Sequence, residues 1–121
     1  MKMRGGKWVL VVDDDEDNRD SLVEFLNDAG YQAKGVAGGT AALDLLRLDK
    51  PSLVLSDLLM KDMSGRDLRI QARGLFDGSP PPPFVFVTAA DPSMLEDISG
   101  TILPKPYDLD QLLKVVAHHC E

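Results

Sequence analysis

The stretch Trp8-Val9-Leu10-Val11-Val12-Asp13-Asp14-Asp15 decides how the rest of the chain reads. Trp8 to Val12 is apolar without interruption and rich in β-branched residues, so it suits a strand buried on both faces. Such a strand belongs inside a parallel sheet with helices packed above and below it. The run then breaks into aspartates, which puts acid at the carboxyl end of that strand.

Outward from there, short apolar runs alternate with helical periods. Leu22, Phe25, Leu26 and Ala29 fall at i, i+3, i+4 and i+7, the stripe of an amphipathic helix, and Gly30 supplies its stop. Gln32 to Val36 reads as a second, less apolar strand. Thr40 is expected to cap a helix running to about Leu48, with Ala42, Leu45 and Leu46 inward and Pro51 beyond its end. Leu53 to Ser56 reads as a third strand, Arg66 to Arg73 as a helix, and Gly74 to Pro83 as a loop. Phe84 to Val87 is a fourth buried strand, Pro92 to Ile98 a short helix, and Thr101 to Leu103 a brief fifth strand. Asp108 is placed to cap a last helix, with Leu109, Leu112, Leu113 and Val116 inward. Strands alternating with helices predict an α/β domain, one doubly wound sheet of five parallel strands with a shortened fourth helix.

Composition narrows the function. At 121 residues the chain is expected to be a single domain, residues 1–121, with an ordered core over about 7–119. A hydrophobic share of 44 % and a charged share of 27 % suit a chain with its own core. The single cysteine, Cys120, allows no disulfide within the chain. A net charge of −7 argues against direct nucleic-acid binding. No apolar run is long enough to cross a membrane, and none near the N-terminus resembles a secretion signal, so a cytoplasmic setting is expected. Neither a phosphate-binding G-x-x-x-x-G-K-[ST] nor a dinucleotide-binding G-x-G-x-x-G is present.

In a sheet of this kind ligands sit beyond the carboxyl ends of the strands. There the sequence places Asp13, Asp14 and Asp15 after strand one, Asp57 after strand three, Thr88 at the end of strand four, and Lys105 after strand five. Several carboxylates in one cleft repel each other unless a cation compensates them. Lys105 and a hard divalent ion such as Mg2+ both can. A carboxylate beside such a cation can act as nucleophile toward a phosphoryl group, and that transfer needs mostly positioning and charge stabilisation. Thr88 offers a hydroxyl to a phosphoryl oxygen, and Lys105 an ammonium.

Together with Val54-Leu55-Ser56-Asp57-Leu58-Leu59-Met60, Met63-Ser64-Gly65, Val87-Thr88-Ala89-Ala90 and Lys105-Pro106, the Val11 to Asp15 stretch resembles the receiver domains of response regulators. The resemblance spans nearly the whole chain and implies the flavodoxin-like (βα)5 fold and phosphorelay signalling in a two-component system. It implies that Asp57 is the phosphoacceptor, that Asp14 ligates Mg2+ directly and Asp13 directly or through water, and that the backbone carbonyl of Leu59 is a further ligand. Thr88 becomes the switch hydroxyl and Lys105 the cation on the phosphoryl group, with a cis bond to Pro106. The donor is then a phosphohistidine on a sensor histidine kinase or a histidine phosphotransfer protein. Such a domain is not an enzyme beyond assisting its own phosphorylation and dephosphorylation. Oligomeric state is left open.

The chain departs from the family pattern at three places. Lys61 stands where proline is usual. The stretch from Thr88 to Lys105 is short. Ile102 replaces a switch aromatic. These leave the acidic pocket intact and point to an altered output route. The alternative, a pseudo-receiver that binds partners without phosphate control, rests on the last two. A phosphohydrolase of another α/β family is disfavoured by Leu59, which stands where such a site needs a second acid. Asp15 and Asp17 read as capping and solvated residues, Asp62 as a loop acid, Pro80 to Pro83 as a rigid connector, and Arg66, Arg69 and Arg73 as a solvated line. His118 and His119 read as solvated histidines favoured by the helix dipole.

Overall fold

The computed structural model describes residues 8–95 and 101–120. Five strands form one parallel sheet: β1 Trp8–Val12, β2 Gln32–Val36, β3 Leu53–Ser56, β4 Phe84–Thr88 and β5 Thr101–Pro104. Their order is β2-β1-β3-β4-β5. Four α-helices connect or follow them: α1 Glu16–Asp28, α2 Gly39–Leu48, α3 Gly65–Gly74 and α4 Leu109–Cys120.

Side-chain alternation along the central strands builds two cores, because successive strand residues face opposite sides. Val9, Val11, Leu53, Leu55, Val85, Val87 and Leu103 pack with Leu22 and Leu26 of α1 and Leu112 and Val116 of α4. On the other face, Trp8, Leu10, Val12 and Val54 pack with Ala42, Leu43 and Leu46 of α2 and Leu68 and Ala72 of α3. Every residue of β1 and β3 is buried, which is why neither strand shows a polar alternation. β2, at an edge of the sheet, alternates with polar residues and is half solvated.

Helix ends account for most differences from the sequence expectation. Asp15 caps α1, accepting from the Asn18 N–H at 3.2 Å, and Gly30 follows the helix at a φ of +101° that favours glycine. Asp108 accepts from the Asp110 N–H at 2.9 Å at the start of α4. Thr40, expected as a cap, instead lies inside the first turn of α2, and Gly38 takes the cap position without a side chain to contribute. The cap comes from Asp62, whose carboxylate accepts from the N–H groups of Gly39 at 3.1 Å and Thr40 at 3.0 Å. Leu45 is half-buried and Leu43 takes the inward place beside Ala42. Leu109, the first residue of α4, is 49 % exposed rather than inward. The helix expected over 92–98 is a single 3-10 turn, Pro92–Leu95, and its remaining positions lie outside the described residues.

Asp62 therefore has a testable role. Its carboxyl is held below the ordinary value of 3.8, chiefly by the Thr40 N–H, with burial opposing and the Gly39 N–H assisting. Asp62→Ala is expected to cost about 1 kcal/mol in urea unfolding at neutral pH. A depressed carboxyl stabilises the fold above its unfolded value and loses that contribution as the pH falls through its folded value. The gap between the two proteins should therefore close below pH 3.8; a gap independent of acid contradicts the capping role.

Candidate functional site

Sheet register brings the polar strand ends to one edge. Val12 pairs with Ser56, and Thr88 with Pro104, so Asp13, Asp57 and Lys105 each follow a paired residue. The pairing runs one step further through the backbone. The Asp57 N–H donates to Val12 O at 3.0 Å, Asp13 N–H to Val36 O at 3.2 Å, and Lys105 N–H to Thr88 O at 2.8 Å. The cleft lies where β1 departs toward β2 on one side and β3 continues on the other, the switch point at which open α/β sheets bind ligands.

Three charged groups meet there. The Lys105 ammonium donates to Asp13 Oδ2 at 3.0 Å and to Asp57 Oδ2 at 3.2 Å. The Lys105 side chain is 19 % exposed and the two carboxylates 9 % and 15 %, so these pairs are shielded from bulk water. Burial opposes the charge on Lys105, but the Asp13 hydrogen bond and the fields of Asp57 and Asp13 outweigh it and raise its pKa above 10.5. The ammonium is therefore charged at neutral pH.

Backbone donors fix both acids. Asp57 Oδ1 accepts from the Leu58 N–H at 2.7 Å and the Leu59 N–H at 3.3 Å, and the Ser56 hydroxyl donates to Asp57 O at 2.8 Å. Asp13 Oδ1 accepts from the Asp15 N–H at 2.9 Å, and Arg19 donates to Asp13 O at 3.1 Å. Thr88 is buried at the end of β4; its Oγ1 accepts from the Ala90 N–H at 3.1 Å, which leaves its O–H to donate elsewhere. The Lys105-Pro106 bond is cis.

The side chains of Asp14 and Leu59 take no part in this ion-pair trio. Asp14 accepts at Oδ2 from the Lys61 N–H at 3.0 Å, on the rim. Leu59 lies on the exposed loop after Asp57, with 55 % of its surface in solvent. Among the described residues no three acids, histidines or cysteines are gathered to hold a metal ion. The donor chemistry nevertheless suits a hard cation: carboxylate oxygens of Asp13 and Asp57 already share one positive group, the Lys105 ammonium.

The acids open onto a cleft of about 440 Å3, whose walls include Asn18, Ala89, Pro106 and Tyr107. Asn18 and Tyr107 are not among the site residues the sequence motifs mark. Tyr107 directly follows Lys105-Pro106, and Asn18 sits in the first turn of α1, so proximity in sequence to the acids was the signal. Burial pushes the Tyr107 hydroxyl up, with Lys105 opposing and Asp13 assisting, so it stays neutral. At the far end of α4, burial and then the neighbouring His118 push the His119 imidazole below its usual range, the reverse of the dipole expectation.

Known proteins share this fold. The model of the response regulator receiver domain matches residues 9–117. Over 111 residues the chain is 34 % identical to response regulator MprA of Mycobacterium tuberculosis, covering 87 % of this chain and 46 % of that protein. The chain thus spans less than half the length of the curated relatives it matches. The signal receiver domain of a signal transduction histidine kinase from Syntrophus aciditrophicus superimposes with a TM-score of 0.79 at 28 % identity, covering 94 % of this chain and 89 % of that one. A CheY-like response regulator receiver domain protein from Methanospirillum hungatei JF-1 gives 0.78 at 26 % identity, covering 93 % and 91 %. Five parallel strands in the order 2-1-3-4-5 and a match along nearly all of the sheet carry the assignment: the chain belongs to the response regulator receiver domains of two-component signalling.

Proposed function

We propose that the chain is a single receiver domain that takes a phosphoryl group from a phosphohistidine onto Asp57. The observation that carries this reading is the Lys105 ammonium bridging Asp13 and Asp57 in a shielded cleft at the switch point. In the transfer, a carboxylate oxygen of Asp57 forms the new P–O bond as the P–N bond of the phosphohistidine breaks. The imidazole leaves and takes its proton from solvent. The Leu58 and Leu59 N–H groups hold Oδ1 and leave the Lys105 side of the carboxylate facing the cation. Lys105 follows the charge onto the phosphoryl oxygens, and Thr88 at the end of β4 supplies a hydroxyl donor to them. Asp13, Asp14, Asp57 and the Leu59 carbonyl would hold Mg2+, which supplies charge neutralisation when bound. The partner is a sensor histidine kinase or a histidine phosphotransfer protein, in the cytoplasm. The chain assists only its own phosphorylation and hydrolysis. The Lys105 bridge between Asp13 and Asp57 supports this reading over a pseudo-receiver.

Incubation with acetyl phosphate and Mg2+ should give a slower band on a Phos-tag gel, and Asp57→Asn should give none. An equal shift in the variant overturns the reading. The phosphoryl group should also be long-lived. Leu59 and Ala90, each two residues past Asp57 and Thr88, offer no side-chain hydrogen bond to an attacking water. Decay without a phosphatase is expected over minutes or longer; loss within seconds contradicts that expectation.

A further inference from the structure

The Lys61-Asp62-Met63 segment joins two places far apart in the chain. At one end the Lys61 N–H reaches across 47 residues to Asp14 Oδ2 at 3.0 Å. At the other, Asp62 accepts from the Gly39 and Thr40 N–H groups at the start of α2. Met63 packs so closely there that a Cβ on Gly39 would lie 2.4 Å from its Cγ. The contact to Asp14 is made by the backbone, so any residue at position 61 except proline can make it.

Asp14 held in this way is not gathered with Asp13 and Asp57 into a set that could hold a metal. We infer that Asp14 is shared between the cation site and the Lys61 amide, which makes Lys61 a positioning residue. Loading with Mg2+ draws Asp14 off the amide and loosens the segment that holds the N-terminus of α2. The inference rests on the reading of Asp13, Asp14 and Asp57 as the Mg2+ site. It has two consequences: Mg2+ binds more weakly than the acids alone would allow, and the state of the site is reported at α2 as well as near β5.

The test is a titration of 15N-labelled protein with Mg2+ alone, followed by amide shifts and solvent exchange. The Lys61 amide should shift and exchange faster, and the Gly39 and Thr40 amides should move with the same midpoint. Lys61→Pro removes the competing donor and should tighten Mg2+ about five-fold. Lys61→Ala keeps the N–H and should keep the wild-type midpoint. Mg2+ shifts at Asp13 and Asp57 with a silent Lys61 amide overturn the sharing and leave the cation site standing. Weaker binding by Lys61→Pro, or equal effects of the two variants, overturn it as well. Silence at Asp13 and Asp57 too overturns both the sharing and the cation site. If Lys61→Pro fails to fold, the wild-type amides alone decide.

Discussion

Lys105→Met is expected to slow phosphoryl incorporation at Asp57 by about 100-fold or more, the usual cost of deleting one preorganised donor at a developing charge. Methionine keeps an unbranched stem of similar length, so the packing beside Pro106 and Tyr107 survives. What disappears is the positive group 3.0 Å from Asp13 and 3.2 Å from Asp57. The two carboxylates then lose the cation they share, and their repulsion adds to that met by an approaching phosphoryl anion. Lys105→Arg should restore little, because a planar fork cannot replace a point charge between two fixed oxygens. The raised pKa of Lys105 sets a matching pH window. Its contribution to stability is fully present below pH 10.5 and is lost as the pH rises through its higher folded value. Single-turnover labelling from acetyl phosphate measures the rate; incorporation within a few-fold of wild type contradicts a catalytic role for the ammonium.

Gly65→Ala is the second large effect, and its sign is opposite to that of an ordinary helix position. Alanine at an exposed helical glycine typically gains up to about 1 kcal/mol. At Gly65 a Cβ would lie 2.4 Å from Asp57 O and 3.1 Å from Leu58 Cα, both backbone, and 3.0 Å from the Phe86 ring. The Gly65 N–H also donates to Leu58 O at 2.8 Å, which pins α3 against the loop that follows Asp57. Neither side can yield without moving Asp57. The variant should lose about 2 kcal/mol or more of stability and phosphorylate poorly. Gly74→Ala is the control: nothing lies within 4 Å of its Cβ position, so it should be neutral or stabilising. Equal stabilities of the Gly65 and Gly74 variants in urea would remove the close approach from the account.

The strands were legible because their burial is written as apolar continuity. β2 and β3 begin and end where the sequence places them, and β4 and β5 extend one residue further. The trio of Asp13, Asp57 and Lys105 was legible because each is a charge directly after such a run. What was not legible depends on contacts across distance in the chain. Asp62 caps a helix 23 residues earlier, and nothing around it in sequence says so. Thr40 looked like a cap because the local pattern could not show that the cap arrives from elsewhere. Leu109 fits the apolar spacing of α4 yet stands in solvent, since periodicity records which face a residue occupies and not where the core ends. The Asp14 contact to Lys61 was hidden for the same reason as the cap, because it joins residues 47 apart in the chain.

The central claim is that one carboxylate, that of Asp57, carries the phosphoryl group. Borohydride reduction of the phosphorylated protein converts an aspartyl phosphate to homoserine, and peptide mass spectrometry locates it. The account predicts homoserine at position 57 alone, dependent on Mg2+ and absent in Asp57→Asn. Reduction at Asp13 or Asp14, or phosphate found on a histidine such as His118, would contradict it.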